Sequence, residues 1–554
     1  MDEAPSTTCG DPAAITCDQA IFTSVRGPMG EGYRIIAASK GLKPEEKQVI
    51  TRFSPSHDAL CHRRNDPHPE GDRGAARPEP AIAAAALPGT FAATHARLHR
   101  HADAPAARPT APPGAPGGDA DELTPPPAPA VAFYALPTGR LCVACSCYAG
   151  AENTGRGGQR VYTLNVVFSA EDFARIAYNP FNVVRALEDM ELTRPQLKPD
   201  AVLPALQLPA GGTPRLPAEA VTIRGVQGPI FCGLLDEQSV VVNVSEGWIE
   251  SAEAVLLSFP GPMRAALAFS AGLRFSTGRT HRLQVLADEN HSARARSAGQ
   301  ATQYVDAASP DGDVAGSPAP GGDRRAWLRL VARHWTTGDF STLARRTSRP
   351  FPDVSAPALE RIGRLYNHLD DLPQTASADL LTVAAAHIEP AGRPVEDEIQ
   401  VELLSSAQQV LSARFQTAPW PELAARWPAL VELWRSSPAA AAFAQPLINK
   451  ALHRGSALAP LDAAELALDA AADLPLGADR AAHEATLDQV VRAFSNWCAA
   501  QVPALCSATD PGRVEQVART RRLANGWKVL RPADRAVQSI LDQIAQLSID
   551  PPAA

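Results

Sequence analysis

Residues 161–168 read Val-Tyr-Thr-Leu-Asn-Val-Val-Phe. Tyr162, Leu164, Val166 and Phe168 occupy every second position, the period of a half-buried β-strand. Immediately downstream, Ser169-Ala-Glu-Asp-Phe supplies a hydroxyl cap and early acids, so a helix starts there. It is expected to end before Asn179-Pro180. Upstream, Val131–Leu136 and Arg140–Tyr148 flank Pro137-Thr138-Gly139 and read as a hairpin. Further upstream, Gln19–Arg26 and Tyr33–Ser39 flank the turn-forming run Gly27-Pro28-Met29-Gly30-Glu31-Gly32 and read as a second hairpin. Lys43–Thr51 follows as a short helix with Pro44 in its first turn. Past the central strand, Ser239–Val244 and Arg282–Leu286 are further strands, while Glu253–Phe259 and Met263–Phe269 favour helix.

Composition divides the 554 residues into blocks. Residues 1–17 are expected to be a loose tail, with order beginning at Asp18. Residues 63–130 are rich in Pro, Ala, Gly, Arg and Asp, with Phe91 the one aromatic residue; such a segment buries too little apolar surface to offset its ordering entropy. It reads as a disordered insertion between two parts, 18–62 and 131–287, of one mixed α/β module. Residues 288–324 are polar again and read as a linker. Residues 325–548 carry one helical stripe after another. Leu487, Val490, Val491, Phe494 and Trp497 mark one face; Val537, Ile540, Leu541, Ile544 and Leu547 mark another. Leu423, Trp427, Leu430, Val431 and Trp434 form a third, and Ile399, Leu403, Leu404, Val410, Leu411 and Phe415 a fourth. No fixed repeat period runs through them. The expected fold class is therefore α+β, with antiparallel hairpins in an N-terminal module and an irregular all-α C-terminal domain.

The formal net charge is −8, with no long basic run, so no nucleic-acid partner is expected. No window of about 18 apolar residues is present, so no membrane span is expected. The start, MDEAPSTTCGDP, lacks the basic and apolar regions of a signal peptide. Nine cysteines at uneven spacing do not resemble a secreted disulfide framework, and the expected location is the cytoplasm.

Four segments are candidates for chemistry. The Gly27–Gly32 loop could contact an anion or a partner chain through its backbone, with Arg26, Gly30, Glu31, Gly32 and Tyr33 as contact residues. It is not a phosphate loop, because no Lys-Ser/Thr follows Gly32 and Glu31 repels phosphate; the plainer reading is a glycine-dependent turn. His57 and Cys61 could act as base and nucleophile, or simply stand in a loop leading to the insertion. Cys142, Cys145 and Cys147 could bind zinc, but strand alternation sets Cys142 on the face opposite Cys145 and Cys147, so small buried residues is the plainer reading. In Gly155–Arg160, Arg156, Gly158 and Arg160 could grip a carboxylate or phosphate, or form a solvated connector. His62, His68, His95, His99 and His101 fit no ligand spacing. No nucleotide, zincin or hydrolase motif occurs, so neither cofactor, metal nor intrinsic GTP hydrolysis is expected.

Several of these stretches resemble one family. Gln19–Arg26, Gly30–Ser39, Gly41-Leu42 and Ser54-Pro55-Ser56-His57 resemble the N-terminal domain of the bacterial GTPase-associated protein 1 family. So do Leu136–Arg140, Tyr148-Ala149-Gly150 and Arg156–Thr163, and, towards its close, Phe269–Phe275 and Arg282-Leu283-Gln284. The resemblance implies an accessory or adaptor protein that works with a nearby-encoded GTPase in a bacterial conflict or signalling system, followed by a helical half. The family pattern also implies a histidine near Leu164, where this chain has none, and the 63–130 insertion is a second departure. A peptidase-like hydrolase using His57 and Cys61, and a purely structural scaffold, are the alternatives.

Overall fold

The computed structural model describes residues 14–27, 30–57, 59–61, 129–151, 159–196, 198–211, 216–223, 225–287, 302–308, 325–471, 479–507 and 511–545. The expected tail 1–13, nearly all of the expected insertion, and residues 288–301 and 309–324 of the expected linker lie outside them.

Eleven strands form one mixed sheet: β1 Ile15–Gly27, β2 Gly30–Ser39, β3 Ala130–Ala135, β4 Leu141–Ala151, β5 Gln159–Phe168, β6 Val202–Leu203, β7 Leu206–Leu208, β8 Ser239–Asn243, β9 Phe269–Ala271, β10 Leu283–Leu286 and β11 Thr302–Asp306. The order is β11-β8-β10-β9-β3-β4-β5-β1-β2-β6, with β7 on β1. Strands β3, β4, β5, β1 and β2 pair antiparallel, as the hairpin signals require. By contrast, β8 pairs in parallel with β10 and β11, and β9 pairs in parallel with β10. The parallel half was not expected; between β8 and β9 the chain passes through two helices, Trp248–Leu257 and Gly261–Ala266.

Two boundaries differ from the sequence reading. Residues 15–17 of the expected tail are part of β1, because Ile15 and Cys17 are fully buried and Ile15–Cys17 pair with β7. Thr302–Asp306, inside the expected linker, is an edge strand on β8, anchored by the buried Val305. The central strand differs as well. Every residue of Val161–Phe168 is buried, so both faces are covered rather than one. Its inward polar groups are satisfied: Thr163 shares a 2.9 Å hydrogen bond with Ser146, and Asn165 accepts one from the Tyr134 hydroxyl at 3.3 Å.

One face of the sheet carries α2 Ala170–Arg175, α3 Pro180–Asp189, α4 Gln227–Leu235, α5 Trp248–Leu257 and α6 Gly261–Ala266. The α2 cap forms as read, with the Asp172 N–H donating to the Ser169 hydroxyl at 3.0 Å. The other face carries a smaller apolar cluster holding Ile50 of α1 Pro44–Phe53 together with Leu60 and Leu273.

The two blocks of the module meet in the middle of the sheet. Asp18–Thr23 of β1 pair with Tyr162–Val167 of β5. Arg140, at the foot of the β3–β4 hairpin, then reaches back to Asp18 at 2.6 Å and to Glu46 of α1 at 3.4 Å. The Glu46 carboxylate is fully buried and also accepts from the Lys43 N–H at 2.8 Å and the Thr138 hydroxyl at 2.5 Å. Gly41 is required beside it, because a Cβ there would overlap the Asp18 carboxylate. The chain leaves the first block and enters the second at the same strand end. The Cys61 N–H donates to the Gly272 carbonyl at 2.9 Å, and Ala130 lies directly against Gly272.

The C-terminal half begins with α7 Arg325–Thr337 and α8 Phe340–Thr347 and continues through nine further helices to Ala545 among the described residues. The stripes read from sequence are the buried faces: Leu423, Trp427, Leu430, Val431 and Trp434, and likewise Leu487, Val490, Val491 and Phe494. Leu547 lies outside the described residues. This half is fused to the sheet module by polar as well as apolar contacts. Arg264 of α6 is fully buried, and its guanidinium donates to the Phe259 carbonyl at 2.7 Å, the Ala177 carbonyl at 3.2 Å and the Thr347 hydroxyl. Ala177 and Tyr178 hold left-handed φ values of 57° and 53°, an arrangement that costs about 1 kcal/mol or more per residue and persists where surrounding contacts fix it. The Trp335 indole donates to Ser258 at 2.8 Å, and its ring packs edge-on against Phe231.

Substituting Arg140→Ala is expected to lower the unfolding free energy by about 2 kcal/mol, less than for a fully enclosed pair because Arg140 is 22% exposed. Adding Glu46→Gln should cost less than it does in the native background, a coupling that urea unfolding of the double-mutant cycle measures.

Candidate functional site

The strand register brings the predicted contact segments to one end of the sheet. Thr23 is the last β1 residue paired with β5, opposite Tyr162. Beyond it, β1 continues with β2 alone, Arg26 opposite Glu31 and Gly27 opposite Gly30. The result is a two-stranded arm projecting past the sheet. Its root is fixed by side chains where main-chain pairing stops. The Val161 N–H donates to the Tyr33 hydroxyl at 3.1 Å, and the Thr23 hydroxyl donates to the Val161 carbonyl at 2.8 Å. Tyr33 is stacked on Phe22 with ring centroids 5.8 Å apart. Arg26 and Arg34 are exposed along the arm.

On its other side β2 pairs with β6, Ala38 opposite Val202 and Ser39 opposite Leu203.

The β4–β5 loop lies at the same end. Arg160 turns its guanidinium inward, donating through Nε at 3.1 Å and Nη2 at 2.7 Å to the Ala149 carbonyl. Two of its donors thus close the neck of the loop instead of facing a ligand. Arg156 and Gly158 lie outside the described residues. His57 is exposed beside a turn closed by the Ala59 N–H on the Ser56 carbonyl, while Cys61 is half-buried against the end of β9.

Alternation along β4 separates the three clustered cysteines as read. Cys145 and Cys147 face the large core, and Cys142 faces the smaller one. Burial pushes the Cys142 thiol up to about 12 and the Cys147 thiol to about 11, and drives Cys145 higher still. These thiols stay protonated at neutral pH and pack as small apolar groups. Among the described residues no cluster of three or more His, Cys, Asp or Glu is placed to hold a metal.

A second polar cluster was not legible in the sequence. The segment 54–61 after α1 runs beside the 272–281 loop, joined by the Arg274 N–H on the Ala59 carbonyl at 2.8 Å and by the Leu60–Leu273 bridge. Between them lies His281, 2% exposed, with the Phe53 ring edge-on at 5.2 Å. Neither imidazole nitrogen has a hydrogen-bond partner. Burial, reinforced by the Arg279 charge, pushes this imidazole down to about 3. Phe53 and His281 stand far apart in the chain, and only the closure of the module makes them neighbours.

Residues 83–209 match the family model described as GTPase-associated protein 1, N-terminal domain type 2. That stretch is similar to the N-terminal domain so described. The described part of the match holds β3, β4, β5, α2, α3, β6 and β7. The arm lies outside the matched stretch but is laddered onto it through β5. No curated protein and no solved structure matches the chain.

The His281 environment sets a pH dependence. The unfolded chain takes up a proton at this residue below about 6.5, whereas the folded chain refuses it until about 3, so the folded state loses stability as pH falls through that window. Relative to His281→Phe, the native chain should lose about 1.4 kcal/mol per pH unit there, read from urea unfolding at a series of pH values. Parallel curves for the two proteins would refute the assignment.

Proposed function

We propose that this chain, which carries a stretch similar to a GTPase-associated N-terminal domain, is an accessory or adaptor protein that docks a GTPase in a bacterial conflict or signalling system. The family match supports the GTPase as partner. The projecting β1–β2 arm supports the place of docking. It is a two-stranded extension of the sheet that carries two exposed arginines, Arg26 and Arg34. Arginines on such an arm steer and orient an acidic partner surface. The helical half is joined to the module through Arg264 and Trp335. Glu31, Gly32 and Tyr33 belong to the same proposed docking end, while Arg156 and Gly158, read from sequence as binding residues, lie outside the described residues.

The test is co-purification of the full chain with a GTPase encoded beside it. Arg26→Glu combined with Arg34→Glu should weaken the complex by about tenfold or more while circular dichroism stays unchanged. Failure of the folded native chain to retain that GTPase contradicts the reading. Undiminished binding by the double variant contradicts the arm as docking site, and a purely structural scaffold predicts that outcome.

A further inference from the structure

Two histidines of the helical half, neither used by the proposed docking end, lie ring beside ring. We infer that His368 and His387 form a two-imidazole site for a divalent transition-metal ion of the zinc class. His368 lies in the last turn of α9 Ala356–Asp371, and His387 is the last residue of α10 Ser377–His387. Their ring centroids are 5.7 Å apart, and the ring planes are inclined by 55°.

The separation is the first argument. A zinc–nitrogen bond is about 2.0–2.1 Å and a ring nitrogen lies roughly 1.1 Å from the centre of its imidazole, so two imidazoles on one tetrahedral ion have centres about 5–6 Å apart. The broad terminal torsion of histidine lets each ring turn a nitrogen towards a shared point without moving its helix. The second argument is that the nitrogens are not spoken for. Among the described residues neither imidazole makes a hydrogen bond. The carboxylates next along α9 are engaged elsewhere: Asp371 accepts from Arg333 at 2.5 Å, and Asp370 accepts from Arg346 at 2.6 and 2.8 Å. Both histidines are half-buried, so an ion can reach them from solvent. The third argument is charge. Each histidine sits where the carbonyl end of its helix favours a cation. Burial holds both imidazoles below the ordinary histidine value, so at pH 7 each is neutral and offers a lone pair. Imidazole nitrogen suits zinc, copper and nickel, whereas magnesium and calcium take oxygen ligands. Among the described residues no third His, Cys, Asp or Glu joins the pair, so water fills the remaining positions and the site is of the open kind.

Calorimetric titration of the full chain with zinc chloride in a non-coordinating buffer, with magnesium chloride as control, tests this. The native chain should bind zinc saturably and magnesium not at all. His368→Gln and His387→Gln should each weaken one zinc site by about tenfold or more, because even the outer partners of a metal ligand carry about 10- to 100-fold in affinity. The double variant should lose no more than either single one, since one ion needs both rings. Circular dichroism identifies a variant that misfolds, and the other single variant then decides. Zinc binding of native strength and number in a folded single variant would put the ion elsewhere and overturn the site. Losses that add in the double variant would make the two histidines separate weak ligands and overturn it equally, as would a native chain that binds no zinc.

Discussion

Antiparallel pairing of Asp18–Thr23 with Tyr162–Val167 is the contact on which the rest of the molecule depends. It joins two blocks of chain that are separated by the 62–128 stretch, and it places β1 between β5 and β2 in the middle of a continuous sheet. Without it, Arg140 would have no Asp18 to reach, Glu46 would lose its cation, and the arm would have no root at Val161. Both block ends converge on Gly272, so the closure costs no long excursion of the described chain. The entropy of bringing two segments of a chain together grows slowly with the number of residues between them, so blocks this far apart in sequence can pair once the ladder and the smaller apolar cluster beneath it are formed.

The second dependence is the seam between sheet and helices. A fully buried arginine is an expensive choice, because burial disfavours the charged form and pulls Arg264 down to about 9. What it gains is saturation: Arg264 satisfies carbonyls at the strained Ala177–Tyr178 turn and in the α5–α6 connection while touching Thr347 of the helical half. One side chain therefore fixes a turn of the module and its contact with α8 together. That seam joins the sheet module to the helical half by both packing and hydrogen bonds.

Much of this was legible in the chain. Alternation at Tyr162, Leu164, Val166 and Phe168 gave the central strand, and the apolar stripes around Trp427 and Phe494 gave buried helix faces. The opposite facing of Cys142 and Cys145 followed from period alone. What escaped was long-range. A strand's sequence does not state whether its neighbour is parallel, so Ser239–Val244 and Arg282–Leu286 read as strands while the parallel pairing of β8, β9, β10 and β11 went unread. Thr302–Asp306 has one fully buried apolar residue, Val305, and reads as linker until β8 is beside it. Arg160 looked free to grip a ligand because its acceptor, the Ala149 carbonyl, is a backbone atom with no sequence signature. His281 is an ordinary loop residue until the two loops lie side by side and Phe53 packs on it.

The most direct test is to delete residues 62–128, join Cys61 to Pro129 with a short glycine-serine linker, and measure amide exchange along β1. If the ladder is self-sufficient, Ala20–Thr23 stay as protected as Leu164–Val167, and the shortened chain melts in one transition. Selective loss of protection in β1, with β3–β5 intact, would show that the two blocks do not form one unit on their own and would contradict the account.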